Sequence, residues 1–343
     1  MSDKRYLGNI ITNNPTAPAG PYEDGAASGV WSLAEAFAYQ KAGLWPIAGN
    51  VMPEIAVFAG GYNVSNVIES VTITTLGNGV DFGDLTVARG SQLASAASST
   101  RGLFAGGYGG GAQDVIDYVT ITSAGNATDF GNLTTARYAV SGCLSNQTRG
   151  VFGGGSVGPQ NVIDYVTIAS TGNATDFGDL SVARTPASGC SPTRGLFGGG
   201  QVSGGISNVI DYVTIASTGN ATDFGDLSQA REGLGAASNA TRCVWGGGYV
   251  SSRVNTIDYV TIASTGNATD FGDLLVEVNG TAGAAGLTRG LFAGGRTNSY
   301  TAPTNVINYI TFAAASNATD FGDLTFNRGE MGGLSNTHGG LAA

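Results

Sequence analysis

The chain has 343 residues, of which 42% are hydrophobic and only 12% are charged. This composition provides enough apolar residues to bury a large core and excludes a disordered chain. The formal net charge of −10 argues against binding to the phosphate backbone of nucleic acid. Residues 1–20 lack the apolar run of a secretory signal, and no stretch approaches the ~18 consecutive apolar residues of a membrane span.

The N-terminal segment, residues 1–53, contains no part of the repeats that follow. Ser32 and Glu35 form a capping box before an apolar stretch, which predicts one short helix over residues 33–42. The apolar surface of this segment is large for such a short element, and it consists of Trp31, Leu33, Phe37 and Trp45. We predict a docking arm over residues 1–53. A simple cap on the following domain is the alternative.

Residues 54–343 contain an internal repeat of about 47 residues. Its most constant feature is a DFG tripeptide, with phenylalanines at Phe82, Phe130, Phe177, Phe224, Phe271 and Phe321. Each unit contains four short strand-like segments separated by Gly- and Asn-rich turns. Four-stranded antiparallel units cannot bury their faces alone, and radial stacking solves that problem. The repeat therefore predicts an all-β, six-bladed β-propeller.

The innermost strand of each predicted blade is rich in small residues, as crowding at a propeller axis requires. Cys143 and Cys190 occupy equivalent positions, which predicts buried thiols on neighbouring inner strands. The three cysteines show no CxxC or Cys/His spacing, so we predict reduced thiols, no metal and no cofactor. The first unit lacks an innermost strand and the chain ends with a spare one. We therefore predict that the C-terminal strand completes the first blade.

The repeat resembles the kelch repeat. Each unit has a strand ending in a glycine doublet such as Gly106 and Gly107, a strand with a tyrosine such as Tyr118, and an arginine after the last strand. The resemblance covers about residues 54–343 and implies a kelch-like propeller, without implying a function. It departs from the family in having Phe in place of the usual Trp. In the first unit Ser70 replaces the tyrosine.

A second resemblance concerns the whole chain. An opening KRYLGNIITNNP, then ASGVWSLAEAFAYQKAGLWP, then propeller-like repeats is similar to virion structural proteins of tailed, especially marine, bacteriophages. The resemblance implies localisation in the virion and docking to other virion proteins through residues 1–53. Assembly with further copies of the chain within the particle is left open.

The sequence offers little catalytic chemistry. His338 is the one histidine, which excludes a two-histidine copper site and leaves a Ser/His/Asp triad with a single candidate. Asp176 and Asp179 of TDFGD point to opposite faces of a strand and do not suit one calcium ion. We expect instead that carboxylates such as Asp176 pair with arginines of the TRG turns, such as Arg149 and Arg194. The arginine after each last strand is expected to be structural.

The loops between the second and third strands of each unit differ in all six units and share one face of the predicted disc. They provide the candidate ligand-binding residues, which are Tyr62, Tyr108, Gln160, Gln201, Tyr249, Arg253, Arg296, Asn298 and Tyr300. Aromatic rings beside amides and guanidinium groups suit carbohydrate. Plain solvated loops are the alternative interpretation.

Three hypotheses of function follow. The first is a non-enzymatic virion protein of the tail-fibre or surface-decoration type, whose variable loops bind a host-surface ligand of the glycan class. The second is a purely structural head, collar or baseplate component. The third is a carbohydrate-processing propeller enzyme, which requires converging carboxylates that the loops do not supply apart from Asp114.

Overall fold

The computed structural model describes residues 53–139, 141–297 and 303–341, which form a six-bladed β-propeller. Each blade is a four-stranded antiparallel sheet, whose strands we name A to D from the central axis outward. The arm and helix predicted within residues 1–53 lie outside the described residues, apart from Pro53. No helix in the described ranges is long and apolar enough to cross a membrane.

The strands of blades 1 to 3 follow in A to D order. Blade 1 contains β24 (Gly332–Ser335), β1 (Ile55–Ala59), β2 (Ser65–Thr72) and β3 (Val80–Arg89). Blade 2 contains β4 (Ala94–Ala97), β5 (Arg101–Ala105), β6 (Val115–Thr120) and β7 (Thr128–Asn132). Blade 3 contains β8 (Ser141–Cys143), β9 (Arg149–Gly153), β10 (Val162–Thr167) and β11 (Thr175–Asp179).

Blades 4 to 6 have the same order. Blade 4 contains β12 (Ala187–Cys190), β13 (Arg194–Val202), β14 (Gly205–Thr214) and β15 (Thr222–Asp226). Blade 5 contains β16 (Gly235–Ser238), β17 (Arg242–Gly246), β18 (Thr256–Thr261) and β19 (Thr269–Asp273). Blade 6 contains β20 (Ala282–Ala285), β21 (Arg289–Ala293), β22 (Val306–Thr311) and β23 (Thr319–Asp323), and a 3-10 turn follows at Gly339–Leu341.

The ring is closed by its two ends. β24 pairs antiparallel with β1, with Ala56 opposite Ser335 and Ala59 opposite Gly332. This pairing confirms that the C-terminal strand completes the first blade. It also covers the inner edge of β1, which would otherwise expose unpaired backbone groups.

The A strands are crowded around the axis, as their small residues predict. β8 pairs in parallel with both β4 and β12, so neighbouring blades are in backbone contact there. A Cβ atom built on Gly283 would lie 1.8 Å from the carbonyl oxygen of Ala236 in the adjacent blade. Glycine is required at this close approach, and even alanine would push the blades apart.

The hydrophobic core lies between the blades. In one cluster Leu103 and Phe130 of blade 2 pack with Phe152 and Val166 of blade 3, and all four are nearly inaccessible to solvent. A single blade could not bury these side chains alone. The stacking of blades is therefore the main source of hydrophobic stabilisation.

The repeated DFG tripeptide forms a β-bulge in strand D. Ile163 of β10 is opposite Gly178 and Asp164 is opposite Asp176, so Phe177 is the extra residue of β11. A bulge bends its strand and redirects a side chain, and Phe177 is buried in the core. The tripeptide thus places one aromatic ring per blade.

Candidate functional site

The near-identical turn between strands C and D bonds each blade to the preceding one. The asparagine side chain of the turn and the neighbouring backbone amides all form hydrogen bonds to the preceding blade. Asn220 Oδ1 accepts a hydrogen bond from the amide of Asp179 at 3.1 Å, and the Ala221 amide donates to the Asp179 carbonyl at 2.8 Å. The Gly219 amide donates to the carbonyl of Phe177 at 2.7 Å. Because the same contacts recur at the other blade junctions, the constancy of this turn has a structural cause.

An arginine at the end of the D strand or just after it connects two blades at five of the six junctions. Arg137 Nη1 lies 2.9 Å from Asp164 Oδ2 in strand C of the next blade, and both side chains are fully buried. Its Nη2 also donates to the Phe152 carbonyl at 3.1 Å. Burial lowers the pKa of Arg137, and the charge of Asp164 opposes that shift. The equivalent pairs are Arg89 with Asp117, Arg184 with Asp211, Arg231 with Asp258, and Arg328 with Glu69.

This finding corrects the expected pairing of TRG-turn arginines with Asp176. Asp176 is exposed, whereas Arg149 lies 4.3 Å above the ring of Tyr165 and donates to the Ile215 carbonyl at 2.9 Å. The carboxylate that pairs with an arginine is the buried aspartate of strand C, such as Asp164. The expected structural role of the arginine after strand D is confirmed.

One blade junction lacks the ion pair. Between blades 5 and 6, Val278 stands in place of the arginine and Asn308 in place of the aspartate. At other junctions a hydroxyl residue such as Thr134 donates to the carboxylate, and here Leu275 replaces it. The Leu275 amide still donates to Asn308 Oδ1 at 3.1 Å. Both charges are lost together, so neither is left buried without a partner.

The TRG-turn arginines form a second recurring unit. In blade 4 the Arg194 guanidinium lies 4.5 Å from the ring centroid of Tyr212, and that ring meets Phe224 edge to face at 6.0 Å. Arg194 Nη1 also donates to the Ile262 carbonyl of blade 5 at 2.8 Å. The same stack occurs in blades 2, 3, 5 and 6.

Glycine doublets end the B strands and begin the variable loops. The Gly155 amide donates to the carbonyl of Arg184 at 3.0 Å. Gly154 has a φ of 72°, and a Cβ atom there would lie 2.4 Å from the same carbonyl oxygen. A side chain is excluded by both the left-handed backbone and the contact. The doublet fixes where each variable loop leaves the sheet.

The variable-loop face is also hydrogen-bonded across blade junctions. The loop after a D strand meets the start of the B to C loop of the next blade. Four such contacts are β-bridges, which join Gly90 to Tyr108, Tyr138 to Ser156, Glu232 to Tyr249, and Asn279 to Arg296. At the junction of blades 3 and 4 the Thr185 amide donates to the Gln201 carbonyl at 3.1 Å. At the junction of blades 6 and 1 the Tyr62 amide donates to the Gly329 carbonyl at 2.8 Å. The bases of all six loops are thereby held in the ring.

The structure brings three charged or aromatic side chains together where blade 6 meets blade 1. The guanidinium of Arg296 lies 3.6 Å from the centroid of the half-buried Tyr62 ring, and its Nη2 lies 2.9 Å from Glu330 Oε1. Burial raises the pKa of Glu330, while Arg296 opposes the shift. Sequence reasoning did not select Glu330, and its left-handed backbone, with a φ of 59°, is seen only in the structure.

The other candidate residues differ in exposure. Tyr108 is 40% exposed and its ring meets Tyr138 edge to face at 5.8 Å. Gln201 is exposed on β13, whereas Gln160 and Tyr249 are half-buried. Arg253 is buried and donates from Nε to Asn279 Oδ1 at 2.9 Å. Asn298 and Tyr300 lie outside the described residues.

The opposite end of the axis is filled by residues from the C-terminus. His338 is buried, with Nε2 3.1 Å from Ser145 Oγ and Nδ1 3.7 Å from Cys190 Sγ. Cys143 and Cys190 lie on β8 and β12, which confirms the predicted buried thiols on neighbouring inner strands. Burial raises the pKa of the Cys190 thiol to about 11. In the described ranges, no group of three or more His, Cys, Asp or Glu side chains could hold a metal ion.

The fold defines the class of protein as a six-bladed β-propeller with four-stranded antiparallel blades. No protein-family profile matches the chain, and no curated protein matches it in sequence.

Proposed function

We propose that the protein is a non-enzymatic virion protein of a tailed bacteriophage whose variable loops bind a host-surface glycan. The assignment to a virion rests on the resemblance of the N-terminal sequence and the repeats. The assignment of binding rests on one observation, the contrast between the two faces of the disc. The C to D turns of one face are committed to blade contacts, whereas the B to C loops of the other face differ in every blade.

Rigid support beneath the variable loops favours recognition. The Tyr108 backbone is bridged to Gly90 of the preceding blade, and its ring packs edge to face on Tyr138. An aromatic ring held in this way can stack on a sugar with little further loss of conformational entropy. Gln201 of blade 4 is exposed and adds an amide that can hydrogen-bond hydroxyl groups.

The test is binding of the purified full chain to host cells. A variant combining Tyr108→Ala, Gln201→Ala and Tyr300→Ala is expected to lose at least about tenfold in affinity, because each change removes a stacking or hydrogen-bonding group. The matched control combines Ser170→Ala, Thr218→Ala and Thr265→Ala on the opposite face, where all three residues are exposed. Equal binding by the two triple variants would contradict the proposal.

The structural alternative, a head, collar or baseplate component, is favoured by the engagement of the loop arginines. Arg253 and Arg296 are buried and bonded within the propeller, so they leave fewer groups for a ligand. A particle reconstruction separates the two functions, because a receptor-binding protein must present its variable loops to solvent. Loops covered by other virion proteins would favour the structural role.

The enzyme alternative has the least support. Glycoside hydrolysis commonly requires two carboxyl groups facing one bond. The six B to C loops contain one acidic residue, Asp114, and it is half-buried.

A further inference from the structure

Blade 1 departs from the other blades at four positions of one surface. Ile55 occupies the position of the stacking arginine, and Ser70 that of the tyrosine. Leu76 occupies a position that is Ala or Thr in every other blade, and Val80 occupies one that is Thr in every other blade. Leu76 is 58% exposed and Val80 is 59% exposed. In the other blades this surface is polar and is filled by the arginine and tyrosine side chains. In blade 1 it is open and apolar.

These four residues line one groove. It has a volume of about 200 Å³ and is bounded also by Val71, on β2, and the turn that follows β2. The residues that create the groove are on three strands and a turn, so they meet only in the folded blade. Their joint departure from the repeat therefore concerns one surface.

The other blades show which group fits this place. There a tyrosine ring meets the phenylalanine of DFG edge to face, with centroids 5.5 to 6.2 Å apart. Phe82 remains in blade 1 and is buried, but Ser70 supplies no ring. An aromatic side chain from outside the blade would restore the missing contact.

Charge adds a second requirement. In the other blades the arginine brings a positive charge to a surface that also carries the exposed first aspartate of TDFGD. Blade 1 keeps that carboxylate as Asp81, which is exposed, while Ile55 brings no charge. The chain as a whole is acidic, with a net charge of −10. A basic group beside the aromatic ring complements this surface.

We propose that the blade 1 groove is a docking site for a partner protein, which inserts an aromatic side chain flanked by a basic residue. The groove lies on the side of the C to D turns, away from the variable loops. It is thus a surface separate from the glycan site, and either can fail without the other.

The test uses the full chain and two peptide probes, acetyl-Arg-Ala-Tyr-amide and acetyl-Glu-Ala-Tyr-amide. Methyl NMR resonances of Ile55, Leu76 and Val80 report binding. We expect saturable shifts with the arginine peptide, and about threefold weaker binding of the glutamate peptide at low ionic strength. An Ile55→Arg, Ser70→Tyr variant fills the groove from within and is expected to lose binding while keeping its unfolding midpoint, because it copies the other blades.

The converse variant removes the two side chains that fill the equivalent place in blade 4. Arg194→Ile with Tyr212→Ser should give blade 4 a second site, detected as shifts of Ile215 and its neighbours. No saturable shift in the natural chain, or shifts that persist in the filled variant, would overturn the proposal. Contacts from aromatic residues of the segment 1–52 to these methyl groups without peptide would also overturn it, as would shifts that depend on protein concentration and reveal a second copy.

Discussion

Arg184 of blade 3 and Asp211 of blade 4 approach to 2.8 Å, and neither side chain is accessible to solvent. The pair connects the sheets of blades 3 and 4. Asp211 is further bonded by the amide and hydroxyl of Ser181 at 3.0 and 2.6 Å. Such a pair contributes little net stability relative to apolar residues, yet loss of one partner leaves an uncompensated buried charge.

Replacement of Arg184 by Met is therefore expected to lower the free energy of unfolding by about 3–5 kcal/mol. Chemical denaturation of both proteins measures the difference. The control is the triple variant Ser181→Leu, Arg184→Val, Asp211→Asn, which copies Leu275, Val278 and Asn308. It should recover most of the loss, and a triple variant as unstable as the single one would contradict this account.

The reverse exchange can be made at the neutral junction between blades 5 and 6. Val278→Arg alone places a charge opposite Asn308 and should destabilise the ring. Addition of Asn308→Asp supplies the counter-charge, so the coupling free energy between the two changes is expected to be favourable by about 1–3 kcal/mol. A double-mutant cycle measures it, and strictly additive effects would show that the two positions do not face each other.

Protonation of His338 should destabilise the propeller in acid. Burial lowers the pKa of His338 to about 4, and Nδ1 accepts a hydrogen bond from the Gly340 amide at 3.2 Å. Because the pKa in the folded state is below that of unfolded histidine, the unfolded state binds more protons between pH 6.5 and 4. The free energy of unfolding should therefore fall as pH decreases through that range, by up to about 3 kcal/mol.

Comparison with His338→Gln isolates this contribution. Burial raises the pKa values of Glu54 and Glu330, which act in the opposite direction, but both residues remain in the variant. The difference in unfolding free energy between the two proteins should narrow from pH 7 to pH 4. A difference that stays constant would show that His338 does not titrate in this range.

The three thiols should be inert in the folded protein. Cys143, Cys190 and Cys243 are buried, and burial raises the pKa of each. At pH 8 a disulfide reagent is expected to label none of them in native protein and all three in denaturant, since the thiolate is the reactive form. Rapid labelling of one native thiol would indicate that the axis opens.

The fold was predictable from the sequence because each unit repeats the same strand and turn chemistry. The aspartate that pairs with each arginine was not predictable. In a repeat of about 47 residues, every aspartate of the unit has a constant sequence separation from every arginine, so spacing does not select one pair. Expecting Asp176 as the partner of Arg149 was wrong because Asp176 faces solvent, whereas Asp164 points between blades. One sequence signal did point to the right partner. The unit with Val278 in place of the arginine directly precedes the unit with Asn308 in place of the strand C aspartate, as expected if these two positions pair.

The candidate ligand site was only partly predictable for a related reason. Sequence variability selects whole loops, and it cannot distinguish an exposed side chain such as Tyr108 from a buried one such as Arg253. The contact of Arg296 with Glu330 joins a variable loop to a residue after the last D strand. Only the folded chain brings those two residues together.

The pairing of β24 with β1 has a consequence for biosynthesis. As the chain leaves the ribosome, blades 2 to 6 can each acquire all four strands from one continuous stretch. The first strands to emerge must wait for residue 335 before their sheet is complete. Until then the inner edge of β1 is open to pairing with another nascent chain. Translation that stalls before β24 would leave a nearly finished, association-prone ring, so the last strand of the propeller to be made protects the first.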